Sequence, residues 1–175
     1  MGYLKVNMKL ITTAQFSNDS ITTYDVDNIF SNNYEVYQLV FSNFEYDTAA
    51  QWIALKLLDS TGSPISTNYT YTLHNLYSEA SSGEYGNTSA TSWVYGVNWM
   101  NASQGNGCVA YIFNPYQSTY THYTYQSTQY VSGAADDFYS NKYIGSIYDA
   151  NPHRGIQIVG SSNMKNGKVS VYGIS

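Results

Sequence analysis

The sequence predicts an all-β fold, an antiparallel sandwich of about ten short strands with little or no helix. Three observations carry that prediction. Apolar and polar residues alternate with period two along most of the chain, and hardly any window holds the 3.6-residue period of a helix. Aromatic and β-branched residues are abundant, with 20 Tyr among them, and these side chains suit a pleated, half-buried surface. The apolar segments are short and separated by Gly, Asn and Ser clusters that read as turns.

Taken in order, Leu4, Val6, Met8 and Leu10 alternate with polar neighbours, and a turn-like SNDS (17–20) follows. Ile21–Phe30 is the next strand. In Tyr34–Phe44, Tyr37, Leu39 and Phe41 face one way while Val36 and Val40 face the other, so this strand is expected in the middle of a sheet. Ala50–Leu58 is similarly apolar on both faces. DSTGSP (59–64) is hairpin chemistry, and the alternation of Ile65, Thr67, Tyr69, Tyr71 and Leu73 marks an amphipathic strand. Residues 78–90 are polar and read as a long loop. Trp93–Trp99 is a strand, NASQGNG (101–107) a turn, and CVAYIFNP the strand beyond it. Further strands are expected at 118–129, 142–148, 155–160 and 168–174, with one helical turn at SGAADD (132–137). GSSNMKNG (160–167) reads as a turn. No linker or fixed-period repeat divides the 175 residues, so 1–175 is read as one domain. The alternation does not set strand order, which leaves jelly roll and immunoglobulin-like sandwich both open.

Composition narrows function. Charged residues make up 11% of the chain and the net charge is −5. Nucleic-acid binding, which needs clustered Lys and Arg, is therefore not expected. No apolar run approaches the length of a membrane-spanning helix. The opening MGYLKVNMKL alternates instead of forming the apolar stretch of a secretory leader, and a single Cys108 forbids an internal disulfide. Synthesis and folding in a reducing compartment are the expectation.

Catalytic and cofactor signals are faint. His74, His122 and His153 stand in three separate segments without metal-ligand spacing. There is no GxSxG turn and no phosphate-cradling loop. Asp25 with Asp27, and Asp136 with Asp137, are the carboxylate pairs that glycoside hydrolysis or calcium binding would use, and solvated strand ends explain them more simply. The reading is a non-enzyme with no cofactor and no metal.

The tyrosines stand out. Tyr116, Tyr120, Tyr123, Tyr125 and Tyr130 crowd YQSTYTHYTYQSTQY with almost no charge. Such rings offer large, stiff contact area with a polar tip, which suits protein interfaces. The competing use is pairing across strands within one subunit. Together with Leu4, Val6, Met8 and Leu10, on a first strand expected at a sheet edge, they are the candidate interface residues. Trp93, Tyr95 and Trp99 are the candidates for an alternative role in sugar stacking.

The segments ITTYDVDNIFSNNYEVYQLVF, LKLLDSTGSPISTNYTY, CVAYIFNPYQSTYTHYTY and GIQIVGSSNMKNGKVSVYGIS, in that order, resemble a class of tailed-bacteriophage virion proteins. Phe30, Ser31, Tyr34 and Tyr37 carry the match at the entry to one strand, Asn68 and Tyr69 at a hairpin end. Gly167, Val169, Val171, Tyr172 and Gly173 carry it in the closing strand. The resemblance implies a jelly-roll-like sandwich on a virion surface, as a capsid decoration or cement protein, head fibre or fibre-tip domain. It further implies a homo-oligomer, a trimer by the habit of that class, with the major capsid protein as partner. Location on the outer capsid surface follows, and the alternative is a tail-fibre or receptor-binding module that meets a host-surface glycan. The resemblance brings no catalytic residues.

Overall fold

The computed structural model describes residues 7–46, 51–77, 82–100, 106–131 and 137–175. Ten strands make up the fold: β1 (Met8–Val26), β2 (Val36–Tyr46), β3 (Gln51–Leu58), β4 (Tyr69–Tyr77), β5 (Ser82–Ala90), β6 (Trp93–Met100), β7 (Asn106–Phe113), β8 (Thr121–Val131), β9 (Asp137–Ile147) and β10 (Gly155–Ile174). All pairings are antiparallel, and no helix occurs among the described residues.

Strand order resolves the choice the sequence left open. First pairs with last (β1–β10), then β2 with β7, β3 with β6 and β4 with β5. Those four nested pairs are a jelly roll, an antiparallel ribbon rolled into two layers. The hairpin β8–β9 is inserted between β7 and β4, which widens one layer. The large layer runs β5-β4-β9-β8-β7-β2-β10-β1, and the small layer runs β6-β3-β10-β1. Both contain β1 and β10, because β10 pairs with β2 through residues 164–174 and with β3 through 155–160.

That double membership corrects two expected turns. SNDS and GSSNMKNG are polar, yet both lie inside strands, and they lie opposite each other: Ser17 pairs with Asn166 and Ile21 with Met164. Register shifts at Ser17/Ile21 and Ile21/Thr23 let the ribbon bend from one layer to the other without ending. Likewise the expected loop 78–90 contains β5, an edge strand exposed on both faces and therefore without an apolar signal. The first strand ends at Val26, not Phe30, and β4 starts at Tyr69, so Ile65 and Thr67 precede it. Residues 132–136 of SGAADD lie outside the described residues, and Asp137 opens β9.

The core lies between the layers. On the inner face of the large sheet, Val171, Leu39, Ala110, Tyr125, Tyr143 and Leu73 form one row across six strands, all buried. Trp93 enters from β6 in the small layer and stacks on Tyr123 of β8, with ring centroids 4.5 Å apart and planes 6° apart. Gly145 of β9 makes room for it, since a Cβ there would lie 2.9 Å from the indole ring. The Phe-Ser-x-x-Tyr-x-x-Tyr stretch forms a corner into β2. The Tyr37 hydroxyl accepts from the Ser31 N–H at 2.7 Å and donates to the Ser31 carbonyl at 2.9 Å, with Phe30 packed edge-on against the ring.

Candidate interaction surface

The outer face of the large sheet follows from register. One row across it reads Met8, Ile174, Val36, Phe113, His122, Ser146 and Thr70. The next reads Leu10, Tyr172, Gln38, Tyr111, Thr124, Ile144 and Thr72. Neither row contains Asp, Glu, Lys or Arg. Val40 and Val109 continue the apolar strip in the row below, and charge returns only with Lys142, Glu84 and Lys168. Met8 and Leu10 are each 52% exposed and Ile144 55%. Two rows, each about 6.7 Å deep along the strands, across seven strands at about 4.8 Å spacing give an uncharged strip of roughly 450 Å². A standard protein interface needs about 800 Å² per partner, so the strip supplies about half of one. The polar atoms within it are partly paired: Gln38 Nε2 donates to the Tyr111 hydroxyl at 2.7 Å, and His122 Nδ1 lies 2.8 Å from Ser146 Oγ.

This face ends on β1, a strand of 19 residues whose one pairing among the described residues is with β10, so that its other side is left open by them. Between Met8 and Ser17 it carries one charge, Lys9, and no Pro. Such an edge templates pairing with another chain, although the bulges in β1 interrupt it.

The candidate residues divide three ways. Met8 and Leu10 lie on the exposed face at its edge; Leu4 and Val6 lie outside the described residues. Tyr116 and Tyr120 are exposed, but they sit on the connection between β7 and β8, not on the sheet face. Tyr123 and Tyr125 are corrected: alternation turns both rings inward, where they are buried in the core and cannot touch a partner. Tyr125 instead stacks on Tyr143 across the strands, at 5.0 Å. Tyr130 lies in β8 with its side chain outside the described set. Trp93 is likewise corrected, because a fully buried indole offers no platform to a sugar. Tyr95 and Trp99 lie in β6, and their side chains are outside the described set.

The sequence reading missed Phe113, Tyr111, Ile144, Tyr172 and Ile174. The signal was present in Val36 and Val40, whose apolar character on the second face of β2 was read as the mark of a central strand, which β2 is. They are half-buried on an open face.

Burial pushes the Cys108 thiol and the phenols of Tyr46, Tyr69, Tyr123 and Tyr125 well up from their ordinary values. Asp25 accepts from Gln157 Nε2 at 2.9 Å, and Asp27 pairs with Arg154 at 2.7 Å, so the two carboxylates hold separate partners.

No protein-family model matches the chain, and no curated protein matches it. Among solved structures it is similar to the catalytic domain of PdAgaC, at 6% identity and a TM-score of 0.26, over 97% of this chain and 75% of that one. It is also similar to a chain from infectious bursal disease virus Gt strain, at 11% identity and a TM-score of 0.16. The VP2 subviral particle of the same virus stands at 10% identity and 0.16. This chain spans 42% of the length of each of those two viral chains. Likenesses at this level assign no activity or partner to the chain.

Proposed function

We propose that the protein is a non-enzymatic structural component of a bacteriophage virion, a decoration or cement protein that binds the outer capsid surface. The observation that supports this reading is the pair of uncharged rows on the outer face of the large sheet, which run out to a strand edge left open by the described residues. A surface of that kind loses free energy by being covered. Cement function needs only such coverage: each copy bridges neighbouring capsid subunits, and many modest contacts add through avidity. The jelly roll supports the role mechanically, because the closing strand β10 is hydrogen-bonded into both layers. The resemblance of the sequence to virion proteins supplies the setting, and a homotrimer is the assembly proposed.

The test is co-sedimentation of the purified protein with emptied phage heads, together with molar mass by light scattering. Binding to heads that Leu10→Lys abolishes, and a mass of three chains, are the expected results. A 19.6 kDa monomer at high concentration that ignores heads would overturn the proposal.

A further inference from the structure

Four connections meet at one end of the sandwich, those between β1 and β2, β3 and β4, β7 and β8, and β9 and β10. Backbone bonds knit them together. Ile29 N donates to the Arg154 carbonyl at 2.9 Å, His153 N to Pro115 at 2.8 Å, and Arg154 N to Leu58 at 3.0 Å. Among them opens a hollow of about 300 Å³, lined by Asn28, Phe30, Ser60, Tyr116, Pro152 and Arg154. That volume is at the small end of ligand pockets, which run from about 300 to 1,000 Å³.

Its chemistry is mixed in a particular way. Tyr116 is exposed and Pro152 half-buried, and together they present apolar ring surface. Arg154 donates through Nε to Asp27 Oδ1 at 2.7 Å and through Nη1 to the Ser60 carbonyl at 3.3 Å. Those bonds use two of the five guanidinium N–H groups. The charge of Arg154 is balanced by Asp27, and the further carboxylates Asp59 and Asp149 stand on the neighbouring connections. An anion therefore meets no net attraction here.

The walls are held in shape. Asn28 and Gly62 have φ of 54° and 88°. Asp59 Oδ1 accepts from Thr61 N, Thr61 Oγ1 and Ser63 N at 2.7–3.0 Å, which locks the β3–β4 turn. A site fixed before its ligand arrives loses little ordering entropy on binding.

We propose that this hollow binds a single neutral pyranose ring. A sugar ring has an apolar C–H face for Tyr116 and a rim of hydroxyls that both donate and accept. Arg154 supplies donors, while the Asn28 amide, whose Nδ2 also donates to Asp27 Oδ2 at 3.5 Å, and the Ser60 hydroxyl supply both kinds of group. The proposal stands apart from capsid attachment, whose test contains no sugar, so either can fail alone.

Saturation-transfer NMR and calorimetric titration with the methyl pyranosides of glucose, galactose and mannose, and with glucuronate as the anionic control, decide it. At least one neutral glycoside is expected to bind with a millimolar dissociation constant, with transfer from aromatic protons. Tyr116→Ala should weaken binding about tenfold or more, on the scale of one lost aromatic platform, with the thermal midpoint unchanged. Asn28→Gly, which tolerates the positive φ, should weaken it several-fold. Absence of transfer to all three glycosides overturns the proposal. So does undiminished binding by both variants, or a preference for glucuronate.

Discussion

At the scale of single residues, His153 and Gly145 make the sharpest predictions. His153 is fully buried, and neither ring nitrogen has a hydrogen-bond partner among the described residues. Desolvation lowers its pKa, outweighing the opposing pull of Asp149 and Asp59. The folded value therefore lies below the unfolded one of about 6.5. Below that pH the unfolded chain takes up a proton that the native state refuses. Stability is therefore full above about pH 6.5 and declines as pH falls toward the folded value. Urea unfolding between about pH 7 and pH 5 should show this decline, and His153→Leu should flatten it. The same variant should be neutral or gain about 1 kcal/mol at neutral pH, because it removes an orphaned polar ring. Gly145→Ala would bring a Cβ to 2.8 Å from the Thr70 carbonyl and 2.9 Å from Trp93. A loss of about 1–3 kcal/mol in the same assay is expected, as for an overpacked core. Cys108 is buried with its pKa raised, so it should resist thiol reagents until global unfolding exposes it.

At the scale of elements, the β1–β10 ribbon dominates. It joins residues as far apart as Met8 and Ile174, so its closure waits for the longest loop in the chain. Refolding by stopped-flow fluorescence should therefore fall in the millisecond-to-second range of non-local β folds. Val171→Ala, at a buried position of β10 between β1 and β2, should cost about 1–3 kcal/mol. Such a change should mainly speed unfolding if the ribbon closes last. Leu10→Lys, on the exposed edge, should leave stability within about 0.5 kcal/mol while disrupting association. A drop in stability as large as that of Val171→Ala would place Leu10 in the core instead.

At the scale of the whole molecule, net charge and surface chemistry separate. The chain carries −5, yet the two outer rows that start at Met8 and Leu10 carry no charged side chain. Association through that face should therefore respond weakly to ionic strength. Raising salt from about 0.05 to about 0.5 M, which shortens the screening length several-fold, should leave the association constant unchanged or strengthened. A steep fall with salt in analytical ultracentrifugation would mean that contacts run through Lys142, Lys168 and the acidic loops instead.

Much of this molecule was written in the order of its residues. Period-two alternation determined that strands form, and Tyr37, Leu39 and Phe41 are as buried as the pattern of β2 requires. The turn at 59–64 was legible for the same reason, since it depends on neighbours within a few positions, but the hairpin expected there does not form: β3 pairs with β10 and β6, and β4 with β5 and β9. Alternation also says that Tyr123 and Tyr125 share a face, but it is silent on which face meets the second layer, and only the packing of Trp93 on Tyr123 decided that. SNDS and GSSNMKNG read as turns because nothing local reveals that each is the other's partner across 140 residues or more. The outer rows and the loop-end hollow are likewise products of register and of four connections meeting. Such features depend on pairing between distant segments, and a local pattern carries no information about which strand will lie beside which.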